Sequence, residues 1–201
     1  MRAPTFQIER ELLAQGYRAI VGVDEAGCGA LAGPLMAGAA ILPLDSRIGD
    51  LRDSKLLTEK ARRQLYEEVV EKATAWAVAE ASVEEINTLG LRVANLLAMR
   101  RAVDQIAHVE YVLIDAWRLP NLPFPQRGIV RGDRLVKSIA AASVLAKVTR
   151  DRKMEELAEQ FPAYRFEIHK GYATEAHQKA IKQYGPCPIH RTSWKPFIHD
   201  K

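Results

Sequence analysis

The chain has 201 residues, 48% of them hydrophobic and 27% charged, with a formal net charge of +4. This length bounds it to one large domain or one domain with a small appendage, with side chains enough for a sizeable core, and the composition excludes a disordered chain. No stretch approaches the roughly 20 apolar residues of a membrane span, and residues 1–16 alternate charged and apolar residues where a secretion signal needs an apolar core.

Thr5 predicts an N-cap for a short helix over 6–14, ended by Gly16. Residues 18–24 read as a mostly buried strand; 35–42, rich in small apolar residues and closed by Pro43, read as a second. Gly27, Cys28, Gly29, Gly33 and Pro34 make the connection, so the two strands form a hairpin whose loop lets backbone approach a ligand. Asp53-Ser54-Lys55 lies in a polar connection before Thr58, which caps a helix to about residue 73 with Ala61, Leu65, Val69 and Ala73 on its buried stripe. Trp76, Val78 and Ala81 suggest a further strand, and Ser82 with Glu85 gives a capping box before Gly90. A second long helix covers 91–107, followed by a short buried strand over 111–114 that delivers Asp115. Pro120, Pro123 and Pro125 force an irregular loop, and 128–131 forms a short strand before Gly132-Asp133. Residues 138–160 are a long crossover helix whose Ala140-Ala141-Ala142 allows close backbone packing. Beyond Pro162 the pattern weakens to one helix over 174–184 and an irregular end, so the chain divides into a main domain over 1–162 and an appendage over 163–201.

Three of these segments deliver acids just after apolar strands: Asp24-Glu25, Asp115 and Asp133. Buried together they are costly without a cation or a hydrogen-bond network. Sites in open sheets gather at strand ends, and an oxygen-only set suits Mg²⁺ or Mn²⁺. Taken singly, each aspartate reads first as a cap or surface group. Lys55, Ser143 and Lys147 offer the positive and donor half of a phosphate site, although Lys147 with Asp151 at helical spacing reads first as a solvated ion pair. In the His169-Lys170-Gly171-Tyr172 cluster the tyrosine suits stacking on a sugar or base, or serves as a half-buried anchor. His190 and His199 read as surface groups. From 162 to 201 there are seven Lys or Arg against three Asp or Glu, with four of the five histidines, a balance that suits phosphate contact or a solvated basic face. Cys28 and Cys187 give neither a disulfide framework nor a thiolate zinc site, so a reducing cytoplasm is the expected compartment.

In order along the chain, Gly22-Val23-Asp24-Glu25-Ala26-Gly27, Leu31-Ala32-Gly33-Pro34, Asp53-Ser54-Lys55-Leu56, Leu113-Ile114-Asp115, Gly132-Asp133 and Ser138-Ile139-Ala140-Ala141-Ala142-Ser143 resemble the bacterial type 2 ribonuclease H family. Ala146-Lys147-Val148, Arg150-Asp151 and His169-Lys170-Gly171-Tyr172 extend the resemblance to about residue 195. It implies a ribonuclease-H-like mixed α/β fold with a helical C-terminal appendage. It implies hydrolysis of RNA in RNA-DNA hybrids and cutting 5′ of ribonucleotides embedded in duplex DNA, by two Mg²⁺ or Mn²⁺ ions on Asp24, Glu25, Asp115 and Asp133. Gly27, Gly29 and Tyr172 match residues that read the ribose and the neighbouring deoxyribose; Lys55, Ser143 and Lys147 are expected at phosphate, with Asp53, Ser54, Asp151, His169 and Lys170 in support. Cys28 stands at the family's usual arginine, removing a bidentate phosphate contact. Ala30 stands for a customary proline and Ala116-Trp117 for a glycine-polar start, with Trp117 expected against the appendage or near the duplex. A monomer with no obligate protein partner is expected. Two other readings are a noncatalytic nucleic-acid-binding domain and a two-metal nuclease acting on another substrate.

Overall fold

A computed structural model describes residues 3–49, 51 and 58–194. Asp53, Ser54, Lys55 and His199 therefore lie outside the described residues. The framework is a five-stranded mixed sheet in the order β3-β2-β1-β4-β5. Strand β1 (Ile20–Ala26) pairs antiparallel with β2 (Leu35–Ile41), which pairs antiparallel with β3 (Ala75–Ala81). On the other side of β1, β4 (Tyr111–Asp115) and β5 (Gln126–Ile129) run parallel to it.

The helices are α1 (Gln7–Ala14), α2 (Glu59–Lys72), α3 (Val83–Leu89), α4 (Leu91–Asp104), α5 (Lys137–Gln160), α6 (Phe166–His169) and α7 (Glu175–Tyr184). Local chemistry sets several of their ends. Thr58 accepts from the Ala61 N–H, and Ser82 and Glu85 form the reciprocal capping box expected from their spacing. Thr5 does not hold the N-cap position of α1, which falls on Phe6, although its Oγ1 accepts from the Gln7 N–H at 3.4 Å; its backbone bridges to Val136 beside α5. The short α6 and the 3-10 turn Pro162–Tyr164 escape sequence periodicity because neither spans enough residues to repeat an apolar stripe.

Two apolar layers sandwich the sheet. On one face Val21, Val23, Ala37, Ala39, Ala77 and Ala79 meet Ala94, Ala98 and Met99 of α4. On the other, α5 lies so close to the sheet that a Cβ on Gly22 would stand 2.1 Å from the Ser138 carbonyl carbon, and one on Gly38 2.3 Å from the Ala142 oxygen. Small residues on both partners allow that approach, as Ala140-Ala141-Ala142 predicts. In β3 it is Ala77, Ala79 and Ala81 that face inward, leaving Trp76 exposed, because the alanines fit beneath α4. A separate cluster joins Ala32, Met154, Leu157 and Ala158 to Tyr164, Phe166 and Ala180, so the segment beyond residue 162 shares a core with the end of α5.

Candidate active site

Strand β1 begins two residues later than the sequence pattern places it and continues through the acids, since pairing with Met36–Ala40 extends from Gly22 to Ala26. Strand alternation then sends Asp24 and Glu25 to opposite faces. Asp24, only 5% exposed, looks toward α5, where Ser143 hydrogen-bonds it, and its Oδ1 accepts from the Glu25 N–H at 2.8 Å. Glu25 looks to the other side, where its Oε1 accepts from the Cys28 thiol at 3.5 Å. One step past the last register pair, Val23 and Ile114, the parallel ladder brings Asp115 alongside Asp24. Asp115 Oδ1 accepts from the Gly132 N–H at 2.6 Å, which ties the buried Asp133, in the 3-10 turn Gly132–Arg134, to the same strand end.

The charge balance of this group is unfavourable. Burial first, then the charges of Glu25 and Asp115, push the Asp24 carboxyl well above the usual carboxylate range, against smaller opposing effects of hydrogen bonds from Ser143 and the Glu25 backbone. Among the described residues no three His, Cys, Asp or Glu side chains are placed to hold a metal ion together. Repelling oxygen donors without a full cage fit Mg²⁺ or Mn²⁺, which bind through a few carboxylates and complete their shells with water and substrate phosphate.

Beside the acids runs a groove of about 410 Å³, lined by Glu25, Gly27, Cys28, Gly29, Arg62, Ser143, Lys147 and Tyr172 among others. Four separated segments thus bring together most of the residues expected to contact substrate. Lys147 Nζ donates to Asp151 Oδ1 at 2.6 Å and stands 5.4 Å from the Tyr172 ring centre; burial pulls its pKa down, so the ion pair is largely enclosed rather than solvated. Arg62, which the sequence gives no reason to single out, completes this cluster at 3.5 Å from Asp151. Cys28 is no reactive thiolate: burial, and after it Glu25, push its thiol far up, and it remains a protonated donor. A larger apolar cavity of about 510 Å³ opens at the opposite end of the sheet near Glu9 and His108, and none of Asp24, Glu25, Asp115 and Asp133 lines it.

Other expected positions fall outside the groove lining. His169 is buried, with Nε2 2.8 Å from the Tyr164 carbonyl and Nδ1 accepting from the Gly171 N–H, and Lys170 Nζ donates to Glu155 at 2.8 Å. Both shape the turn that carries Tyr172. His190 is not a surface group: it is 1% exposed, with Nε2 3.1 Å from His177 Nε2. Trp117 packs against the α4 side of the sheet, with Arg92 5.9 Å above its ring, and not against the appendage. Ala116 takes φ +55°, a left-handed conformation that explains why glycine suits this position. Two further functional candidates are Arg150 and Arg191, both wholly buried against the glycine-rich loop. Arg150 enters the sequence reading only within the Arg150-Asp151 match, without a role; Arg191 in a basic tail offers no signal.

Comparison with known proteins gives three concordant findings. The Ribonuclease HII family model matches residues 21–197. Ribonuclease HII of Caldicellulosiruptor bescii is 46% identical over 190 residues, covering 94% of this chain and 92% of its own, and that of Nocardioides sp. is 50% identical over 192 residues, covering 94% and 80%. The crystal structure of ribonuclease H2 from Pyrococcus horikoshii OT3 shares the fold, with a TM-score of 0.74 at 24% identity over 89% of this chain and 94% of that one.

Proposed function

Because this chain belongs to the ribonuclease HII family, and so is a metal-dependent ribonuclease H acting on RNA-DNA hybrids, we propose that it also cuts 5′ of ribonucleotides embedded in duplex DNA, leaving 3′-hydroxyl and 5′-phosphate ends. The observation that carries this reading is the mutually repelling set of the buried Asp24 with the half-buried Glu25 and Asp115, at the edge of a groove with Lys147, Ser143 and Tyr172. Asp24, Glu25, Asp115 and Asp133 would hold two Mg²⁺ or Mn²⁺ ions, whose chemistry is Lewis-acid neutralisation of the phosphate and a lowered water pKa.

The chain's own residues supply position and selectivity. The Cys28 thiol fixes the Glu25 carboxylate through their hydrogen bond. Lys147 and Arg62 hold positive charge along the phosphate path, where the Asp151 carboxylate keeps them in place. The Tyr172 ring lines the groove, flanked by Lys147 and by the Arg150 guanidinium 5.2 Å away, and would pack on a deoxyribose. Water attacks phosphorus in line, the bond to the 3′ oxygen of the preceding nucleotide breaks, and that oxygen leaves as a hydroxyl. Lys55, with Asp53 and Ser54, supports the phosphate from the connection before α2, and His169 and Lys170 act by fixing the Tyr172 turn. The protein works as a cytoplasmic monomer without an obligate protein partner.

The test compares a duplex carrying one embedded ribonucleotide with an all-DNA duplex of the same sequence, each with Mg²⁺, Mn²⁺ or EDTA. A single metal-dependent cut 5′ of the ribonucleotide is expected. No cut at enzyme concentrations that saturate binding would sink the proposal.

A further inference from the structure

Arg191 lies far along the tail, yet it is 0% exposed and reaches into the loop between β1 and β2. Among the described residues no carboxylate pairs with it, and its guanidinium spends its donors on backbone carbonyls. Nη1 donates to Gly27 O at 2.8 Å and Cys28 O at 3.3 Å. Nε and Nη2 donate to Gly33 O at 3.0 and 2.9 Å, and Nη2 also to Pro34 O at 3.3 Å. Arg150 works from α5 in the same way, donating to the carbonyls of Pro34, Ala32 and Lys170, each at 3.0 Å. Burying two neighbouring cations, of which only Arg150 has an acid close by, in Asp151, is expensive, so this arrangement asks for a reason beyond packing. Burial, and next the Arg150 charge, pull the Arg191 pKa down to about 9, which leaves it cationic at neutral pH.

The reason lies in peptide geometry. In a trans peptide the carbonyl and the next residue's N–H point in opposite directions, and the described chain has no cis bond. Turning Gly27 O and Cys28 O onto Arg191 therefore turns the Cys28 and Gly29 N–H groups away from it, toward the groove that these residues line. Neither N–H is used in a backbone hydrogen bond of the turn, whose closing bond runs from Ala30 N to Gly27 O. Glycines on both sides would otherwise let these peptide planes flip. Cys28 brings no charge of its own, so the backbone donors carry the contact at this position.

We infer that Arg191 is a positioning residue for ribonucleotide recognition: its buried guanidinium sets the Gly27-Cys28 and Cys28-Gly29 peptide planes so that two N–H donors face the ribose of the strand being cut. This inference rests on the groove being the ribonucleotide site proposed above.

Steady-state cleavage of the single-ribonucleotide duplex in Mn²⁺ tests it, with the all-DNA duplex of the same sequence as a competitor whose inhibition constant reports ribose-independent binding. Arg191→Gln is expected to raise KM for the ribonucleotide duplex at least tenfold while the inhibition constant of the DNA duplex moves less than twofold. Arg191→Lys, which keeps the charge but not the fork of donors, should recover part of that loss. Tyr164→Phe removes a hydrogen bond to Gly185 O in the same appendage and serves as the stability control, lowering Tm but neither constant. An unchanged KM in Arg191→Gln, or a parallel change in both constants, overturns the inference alone. If that variant does not fold, Arg191→Lys decides by the same two constants. A wild-type chain that cuts neither duplex overturns the functional reading and this inference with it.

Discussion

Asp24 carries a charge that the fold tolerates poorly. Its carboxyl is pushed up by burial and by two acidic neighbours, so it destabilises the ionised folded state. The sign follows from linkage: a raised carboxyl pKa stabilises the fold below the unfolded value and loses that contribution as pH rises through the folded value. Asp24→Asn should therefore raise Tm at pH 7.5 in EDTA by a few degrees while lowering kcat by roughly a hundredfold or more, since oxygen donors that gather charge at phosphate are typically worth that much. A variant with wild-type turnover would remove Asp24 from the ligand set. Ala116 makes a quieter prediction. Its φ of +55° costs a residue with a Cβ about 1 kcal/mol, so Ala116→Gly should raise Tm by roughly 2–4 °C in a calorimeter. Asp24-Glu25 and Asp115 are legible in sequence because each lies at the end of an apolar run that reads as a buried strand; Asp133 is less so, because it sits in a 3-10 turn after the half-exposed β5. Arg191 and His190 are not, because a basic or imidazole side chain reads as solvated until a loop distant in sequence is seen to cover it.

At the level of elements, α5 does more than close the core. Its N-terminal half rests on Gly22 and Gly38, and its middle presents Ser143 and Lys147 to the groove, so sheet spacing and site geometry are set by one contact. A methyl group at Gly22 would sit inside the Ser138 and Ile139 backbone, which a helix cannot yield without sliding. Gly22→Ala should cost about 3 kcal/mol in a urea melt and lower activity with it. A stable, fully active variant would show that α5 has room to move. The alanine run predicts close packing, and Ser82 with Glu85 predicts a cap, because both signals act within one turn of helix. The two-residue displacement of β1 was not predictable in the same way. Where a strand stops depends on its partner, and it is β2 that carries the ladder on through Asp24 and Glu25.

For the whole molecule, the segment beyond residue 162 is held by an interior that is polar as well as apolar. His169 and His177 stack at 4.4 Å, His177 meets His190, and Phe166 packs against all three. Burial pulls each histidine down, His177 to about 4. Here the linkage runs the other way from Asp24: stability is full above the unfolded value near 6.5 and is lost as pH falls toward 4. Between pH 6.5 and 5 the wild-type Tm should fall more steeply than that of His177→Gln, and parallel slopes would refute the assignment. The same region fixes the order in which the protein can be completed. The bond from Arg191 to Gly27 O joins residues 164 positions apart. A ribosome adding roughly 5–20 residues per second takes about ten to thirty seconds to cover that distance. During that interval a nascent chain can pair β1 with β2 and lay down the acids, but the carbonyls of the turn still lack their cation. Synthesis therefore delivers the acids of the proposed site first and the cation behind its glycine-rich turn last.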